Sequence, residues 1–368
     1  MNITFLIGNG FDRNMGLATS YSEFVEYYKE TEGKTENLEK FRNHIQSNQE
    51  LWSAAEIEIG KYTEKFETGQ GAVFSECHSD FCEFLSEYLK KEEQRIDYNY
   101  ITKSIETAFA ELIAISKPFP TQERETINQV FLSHLAQDTV YNFINYNYTN
   151  TLDECISQIK NKKKVLGTYR GGNAIHSHTI GTVLHVHGTV NGQMVFGVND
   201  KSQIAKPEIF ECEYGDLYES SIIKRQANDN YQENTDAKAK NILDGSQMVY
   251  IYGMSIGETD KLWWERVCAW LNGGSSRHLF IYRHTMPSRG LLETEYMIAE
   301  RKAKKEITQY AKLDEQQKTN IERRIHITNS NIFGALNNVA DRSEDSDSLL
   351  LHAALEFGNN SSKESWMQ

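Results

Sequence analysis

Two glycines and an acid follow the first apolar run of this sequence. In "NITFLIGNGFDRNMGLATSY" the apolar run ends at Ile7 and is followed by Gly8, Asn9, Gly10 and, two residues later, Asp12. Glycine lets the backbone turn tightly and lets a phosphate approach its N–H groups, and a following helix N-terminus adds partial positive charge. The stretch therefore predicts a nucleotide-binding turn, although Gly16 comes too late for the ordinary dinucleotide fingerprint G-x-G-x-x-G. The alternative is that the glycines only make a tight turn.

A second polar group stands where an apolar β-rich run ends in "NYNYTNTLD". Asn147, Tyr148 and Thr149 are residue types that line ligand crevices at the carboxyl ends of parallel strands. The alternative is that this segment caps the next helix, with Asn150 at its start and Asp153 in its first turn.

Four histidines are concentrated in "HSHTIGTVLHVHGTVNG", at His176, His178, His185 and His187. His187 stands just before a Gly-Thr turn, and an unperturbed imidazole pKa near 6.5 suits proton transfer at neutral pH, so we predict that it is a general base. We assign His185 to hydrogen bonding or packing. The four rings together are a candidate metal site, which ranks lower because no cysteine or carboxylate stands among them.

A third polar turn follows the apolar run in "VYIYGMSIGETDKLWW". Gly253, Ser255 and Asp260 lie between this run and a predicted helix. A strand, a small-residue turn and a capped helix again predict one side of a nucleotide crevice.

The elements that must position these residues are short buried strands separated by helices. Apolar, β-rich runs occur at 3–8, 139–147, 182–188, 194–198, 248–253, 278–284 and 324–329. Helical periodicity follows several of them, at 149–160, 259–271, 287–314 and 331–340. Continuous apolar strands that alternate with helices predict an α/β fold, with a mostly parallel sheet covered by helices on both faces.

The long interval after the first strand has helical periodicity throughout. We therefore predict a core formed by residues 1–19 and 139–340, an inserted helical lobe at 20–138, and a polar C-terminal segment at 341–368. Aromatic residues at helical spacing open the predicted lobe and suggest a lid over the crevice, with ordinary core packing as the equal alternative. These residues are Tyr21, Phe24, Tyr27 and Tyr28.

Composition limits the possible partners of the 368-residue chain. Its formal net charge of −13 argues against general nucleic-acid binding, and the basic run at 160–164 is interpreted as a solvated turn. Neither a secretion signal nor a membrane span is predicted. Five scattered cysteines are typical of reduced thiols, so we expect a cytoplasmic protein.

Taken in order, "LIGNGFDRNMGLATSY", "NYNYTNTLD", "HVHGTV" and "IYGMSIGETDKLWW" resemble the bacterial abortive-infection AbiH family of phage-defence proteins. The same motifs resemble a sirtuin-type NAD site. The sirtuin pattern G-A-G-x-S-x-x-S-G-I-P-x-F falls on residues 8–17, and the L-H-G element falls on Val186, His187 and Gly188. The four-cysteine zinc module of deacylating sirtuins is absent, which favours NAD cleavage over protein deacylation.

This resemblance implies a Rossmann-like, sirtuin-like core that cleaves NAD at the nicotinamide–ribose bond and needs no metal. It implies that Asn147 positions water or a ribose hydroxyl and that His187 is the base. The implied nucleotide-binding residues are Gly8, Asn9, Gly10, Asp12, Tyr148, Thr149, Gly253, Ser255 and Asp260. The expected partners are NAD or a related nucleotide, a phage-derived trigger and further copies of the chain.

Two other functions fit the same residues. One is a module that senses a nucleotide and signals without chemistry. The other is a metal-dependent nuclease or phosphoesterase that uses the histidines between His176 and His187.

Overall fold

The computed structural model describes residues 1–159, 165–231, 234–290 and 293–342. The basic run at 160–164 and nearly all of the predicted C-terminal segment lie outside the described residues. The strands are β1 (Asn2–Ile7), β2 (Thr139–Asn145), β3 (Val165–Gly171), β4 (Ala174–His185), β5 (Met248–Tyr252), β6 (His278–Tyr282) and β7 (Ile325–Thr328).

Helices fill most of the remaining described chain. Those before β2 are α1 (Gly10–Asn14), α2 (Tyr21–Tyr28), α3 (Glu36–Ser47), α4 (Ala55–Tyr62), α5 (Gly71–Glu93), α6 (Thr102–Glu111) and α7 (Thr121–Ser133). Those after it are α8 (Thr151–Ser157), α9 (Gly215–Ile222), α10 (Lys224–Asn230), α11 (Thr235–Asp244), α12 (Lys261–Asn272), α13 (Glu293–Thr308) and α14 (Glu315–Glu322). None of the helices in the described ranges has the length and apolarity needed to cross a membrane.

The seven described strands form one sheet in the order β3-β4-β2-β1-β5-β6-β7. Every neighbouring pair is parallel except β3 with β4, so the predicted α/β fold with a mostly parallel sheet is confirmed. The register aligns Ile7 with Asn145 on one side and Tyr252 on the other, and it aligns Asn145 with His185. The carboxyl ends of β1, β2, β4 and β5 therefore meet at one edge.

Helices cover both faces of the sheet because successive strand residues point in opposite directions. Phe5 belongs to the face that packs against α6, α7 and α8, where it stacks on Phe143 at 5.3 Å and on Tyr250 at 5.2 Å between ring centroids. Leu6, the next residue, belongs to the face covered by α11, α12, α13 and α14, which includes Trp264.

The chain between β1 and β2 forms helices joined by turns over residues 8–138, with no strand in this fully described span. Its packing differs from the single lobe that we expect from sequence. Helices α6 and α7 belong to the core of one sheet face. Helices α2, α3, α4 and α5 form a separate core with residues from 190–223, a segment that the sequence assigns to the sheet domain.

Three local features differ from the sequence predictions. Residues 194–198 make no strand, because Val195 and Val198 donate backbone hydrogen bonds to His187 and Ile222 instead of joining the sheet. Strand β3 has no counterpart among the strands expected from sequence, although the two residues between β3 and β4 are Gly172 and Asn173, a typical hairpin turn. Gly172 there has a φ of +60°, which glycine tolerates best. The predicted helix at 331–340 instead contains a short 3₁₀ turn, Gly334–Leu336.

Candidate functional site

A cavity of about 340 Å³ lies at the carboxyl ends of β1, β2, β4 and β5. This volume lies within the range of small-molecule sites in proteins. Ten of the eleven site residues predicted from sequence line it, and only Gly10 does not. The ten are Gly8, Asn9, Asp12, Asn147, Tyr148, Thr149, His187, Gly253, Ser255 and Asp260.

The opposite wall comes from the helices between β1 and β2. Tyr21 at the start of α2, Glu56 in α4, and Leu85 and Leu89 in α5 all line the cavity. The cavity therefore lies between the edge of the sheet and the separate helical core. Sequence motifs at strand ends could not indicate this wall.

The two glycines of the first loop contact another turn closely. The N–H of Gly8 donates to the carbonyl of Tyr252 at 3.0 Å, and the N–H of Gly10 donates to the carbonyl of Gly253 at 2.8 Å. A Cβ atom on Gly10 would lie 2.4 Å from the Cα of Gly253. These two N–H groups have backbone partners in this structure, and their binding to a phosphate stays a prediction. Glycine is required here because two turns meet backbone to backbone.

Asn9 holds the glycine loop to Thr19 through two side-chain hydrogen bonds. Its Nδ2 donates to the carbonyl of Thr19 at 2.9 Å, and the Thr19 hydroxyl donates to its Oδ1 at 2.5 Å. Asn9 and Thr19 both line the cavity, so this pair joins the glycine loop to the chain that leads into α2.

Asp12 connects the glycine loop to the polar end of β2. Its side chain is 1% exposed, and it accepts hydrogen bonds from the hydroxyls of Thr149, at 2.5 Å, and Thr151. Burial raises the pKa of the Asp12 carboxyl to about 6, and the negative charge of Glu93 adds to this rise, while the two hydroxyls and the nearby Asn147 amide oppose it. The carboxyl is thus ionised at neutral pH at a cost in stability.

We expect Asp12→Asn to flatten the pH dependence of stability. The folded pKa of about 6 lies above the usual 3.8, so the folded state binds more protons than the unfolded state between these values, and stability falls as pH rises. Between pH 5 and pH 7 the wild type should lose roughly 1 kcal/mol relative to the variant. Urea unfolding at several pH values measures this. Asp229→Asn, at an exposed position, is the control, and parallel curves for wild type and Asp12→Asn would contradict the assignment.

Asn147 and the two tyrosines beside it form the part of the cavity wall that follows the carboxyl end of β2. Asn147 is 6% exposed, and its Nδ2 has no hydrogen-bond partner. The Tyr146 hydroxyl is buried and also without a partner, whereas the Tyr148 hydroxyl lies 3.1 Å from the carbonyl of Val195. The cavity wall therefore carries two buried polar groups whose hydrogen bonds are unmade, a costly arrangement that a ligand would relieve.

His187 lies between these tyrosines, with ring centroids 5.7 Å from Tyr146 and 6.1 Å from Tyr148. Burial, reinforced by the cation of Lys224, holds the pKa of His187 well below its usual value. The imidazole is therefore neutral at neutral pH, and it is a weaker base than a free histidine. It is also more buried, at 8% exposure, than the open strand-end position that the sequence suggests.

The other three histidines lie outside the cavity lining. His185 Nδ1 lies 3.1 Å from the carbonyl oxygen of Asn147, and its Nε2 lies 2.7 Å from a carboxylate oxygen of Asp153. His178 lies 2.9 Å from the Tyr141 hydroxyl, and His176 lies 3.6 Å from Asp138. Within the described ranges, no group of three or more histidine, cysteine or acidic side chains is arranged to hold a metal ion.

A buried ion pair that the sequence did not indicate completes the site. Glu56, which is 9% exposed, accepts hydrogen bonds from the hydroxyls of Tyr21, at 2.9 Å, and Tyr148, at 3.3 Å. Its other oxygen lies 2.6 Å from the Lys224 ammonium. Glu56 and Lys224 stand on α4 and α10, far apart in sequence and in no recognisable motif, so only the folded chain brings them together.

The loop after β5 supplies the last part of the wall. Gly253 has a φ of +69°, Ser255 is exposed, and Asp260 precedes α12. Burial raises the pKa of Asp260 to about 6, with Lys224 opposing the rise and Glu56 adding to it. Asp260 and His187 also line a smaller adjoining cavity of about 40 Å³.

The aromatic residues predicted to form a lid are divided between two roles. Phe24 and Tyr28 are fully buried, and Phe24 packs edge-on against Phe81 at 5.0 Å. The Tyr28 hydroxyl donates to Asp80 at 2.6 Å. These two are core residues of the helical layer, so replacing Tyr28 by Ser should unfold this layer. Of the four, only Tyr21 lines the cavity.

Comparison with known proteins identifies the family. The family model described as "Bacteriophage abortive infection AbiH" matches residues 4–282, about three quarters of the chain. The match includes every residue of the site described above. A search of curated proteins found no match. The chain belongs to the AbiH family.

Proposed function

We propose that this AbiH-family protein acts in phage defence by cleaving NAD at the nicotinamide–ribose bond in the cavity at the sheet edge. The observation that carries the proposal is the meeting of Asn147, His187 and Asp12 in one cavity. Each comes from a different motif, and each is at least nine-tenths buried. Two of them, Asp12 and His187, have strongly shifted pKa values, and perturbed titratable residues in a cleft are typical of an active site.

The sheet topology supports a dinucleotide as the ligand. The six parallel strands follow the order β4-β2-β1-β5-β6-β7, which corresponds to the 3-2-1-4-5-6 order of Rossmann-like dinucleotide-binding folds. In such sheets the ligand binds outside the carboxyl ends, at the point where the strand order reverses. That point lies between β1 and β5, and Gly8 and Gly253, the residues that follow these two strands, both line the cavity.

The proposed reaction requires little of the protein beyond orientation and charge. The bond between ribose C1′ and the pyridinium nitrogen breaks, and its electron pair neutralises the ring as nicotinamide leaves. Water adds to C1′, and neutral His187 accepts its proton. Asn147 orients the water or a ribose hydroxyl, and nearby carboxylates stabilise the positive charge that develops on the ribose. No step of this reaction uses a metal.

The proposal extends to the infected cell. We propose that the protein acts in the cytoplasm, where it stays restrained until a phage-derived trigger or assembly with further copies releases it. An enzyme that consumed NAD freely would kill its own host. The helical layer that walls the cavity, with Tyr21 at the site itself, is the part of the chain that would have to admit the substrate.

Cellular NAD tests this proposal. Cells that carry the wild-type gene should lose most of their NAD after phage infection and before lysis, while cells with a His187→Ala variant should keep it. NAD is measured over time by enzymatic cycling assay, with protein levels checked by immunoblot. Protection against phage with undiminished NAD would favour a nucleotide sensor without chemistry.

A further inference from the structure

We propose that the cavity selects a cationic aromatic ring, so that it binds the oxidised, pyridinium form of a nicotinamide nucleotide in preference to the reduced form. The inference rests on the function proposed above and adds a specificity to it. It can be tested without any cleavage of NAD.

The first support is the charge of the cavity wall. Three carboxyls line it, those of Asp12, Glu56 and Asp260, and the described residues that line it include no lysine or arginine. Lys224 reaches Glu56 from outside this lining and compensates one of the three charges. Asp12 is held by two hydroxyls rather than by a cation. Excess negative charge beside a desolvated cavity favours a cationic ligand.

The second support is the set of aromatic rings at the same wall. Tyr21, Tyr146 and Tyr148 all line the cavity. The faces of such rings attract cations, and they also stack on flat heteroaromatic groups. A pyridinium ring presents both features at once, whereas a dihydropyridine ring has lost its charge and its aromaticity.

The third support is independent of charge and points to a ligand directly. Nδ2 of Asn147 and the hydroxyl of Tyr146 make no hydrogen bond within 3.5 Å, although the Asn147 amide is near enough to Asp12 to lower the pKa of its carboxyl. Both residues are more than nine-tenths buried in the cavity wall. An amide nitrogen can only donate, so it calls for an acceptor on the ligand. The carboxamide oxygen of nicotinamide is such an acceptor, and it is carried by the ring that the carboxyls would attract.

The test uses two small probes with the same heavy atoms. 1-Methylnicotinamide is a cation, and 1-methyl-1,4-dihydronicotinamide is neutral; neither contains a ribose bond that the protein could cleave. Ligand-observed NMR titration of the full chain at pH 7.5 should show at least tenfold tighter binding of the cation. Equal affinities, or no binding of the cation, would overturn the proposal.

Variants identify the source of the preference. Glu56→Gln removes a carboxylate and leaves the Lys224 cation unpaired beside the cavity, so the preference should disappear. Glu58→Gln is the matched control, because Glu58 stands on the same helix, is similarly buried, and pairs with Lys61 at 2.6 Å outside the cavity. Asp260→Asn, which breaks no ion pair of the described structure, should reduce the preference at least threefold if Glu56→Gln fails to fold.

The outcomes separate this inference from the proposed reaction. A preference that survives both Glu56→Gln and Asp260→Asn would overturn the role of the carboxyls. A protein that prefers the cation but releases no nicotinamide from NAD would keep the selective site and lose the proposed cleavage. A protein that cleaves NAD but shows no preference between the two probes would support the proposed cleavage and contradict the selectivity for the cation.

Discussion

His187→Ala should lower the rate of nicotinamide release from NAD by 10²–10⁴-fold, the usual contribution of a general acid or base. The reason is that the neutral imidazole of His187 is the proton acceptor for the attacking water in the proposed reaction. The measurement is chromatographic quantification of nicotinamide formed by purified wild type and variant at equal concentration.

The control for this prediction is His178→Ala. His178 comes from the same strand segment, is 7% exposed, and has a pKa lowered by burial, but its partner is the Tyr141 hydroxyl outside the cavity. The control should keep the wild-type rate after correction for any unfolded fraction. Because His187 packs between two tyrosines, thermal unfolding of both variants must be measured alongside. A folded His187→Ala protein with an unchanged rate would show that another group is the base.

Gly253→Ala should destabilise the protein by about 4 kcal/mol. Gly253 has a φ of +69°, and a Cβ there would lie 2.7 Å from the Cα of Gly10, so both backbone strain and steric overlap contribute. Relaxation would have to separate the two turns that border the cavity, so ligand binding should weaken as well. Equilibrium unfolding in urea measures the loss.

Gly257→Ala is the matched control on the same loop. Gly257 has extended backbone angles, and a Cβ there would have no neighbour within 4 Å. Its replacement should change stability by less than about 0.5 kcal/mol. If Gly253→Ala were as stable as Gly257→Ala, the close contact between the two turns would not exist in solution.

The site residues that sequence could predict are those at the ends of strands. Asn147, His187 and Gly253 each follow an apolar run, and parallel strands bring such ends to one edge whatever the details of packing. Their meeting in one cavity therefore depends only on the sheet topology. The role of Gly8 and Gly10 was harder to predict, because the same spacing serves a phosphate site or a close backbone contact, and only the structure shows the second turn.

The residues that sequence could not predict are those whose partners depend on tertiary packing. Glu56 and Lys224 lie on helices whose sequences are typical of ordinary amphipathic segments. Nothing in the sequence spacing of these two residues indicates a buried ion pair. Likewise, the aromatic residues of α2 would have the same helical spacing whether they formed a lid over the cavity or packed in a core. Phe24 and Tyr28 became core because helices α3 and α5 cover them.

The most direct test of the central claim is the fate of NAD incubated with the protein in H₂¹⁸O. Protein purified from phage-infected cells should release nicotinamide and ADP-ribose in equal amounts, with one ¹⁸O at ribose C1′, and protein from uninfected cells should do so more slowly. Mass spectrometry after a short incubation measures the amounts of the two products and the ¹⁸O content of the ADP-ribose. NAD that stays intact with both preparations, while it binds in the cavity, would contradict the account.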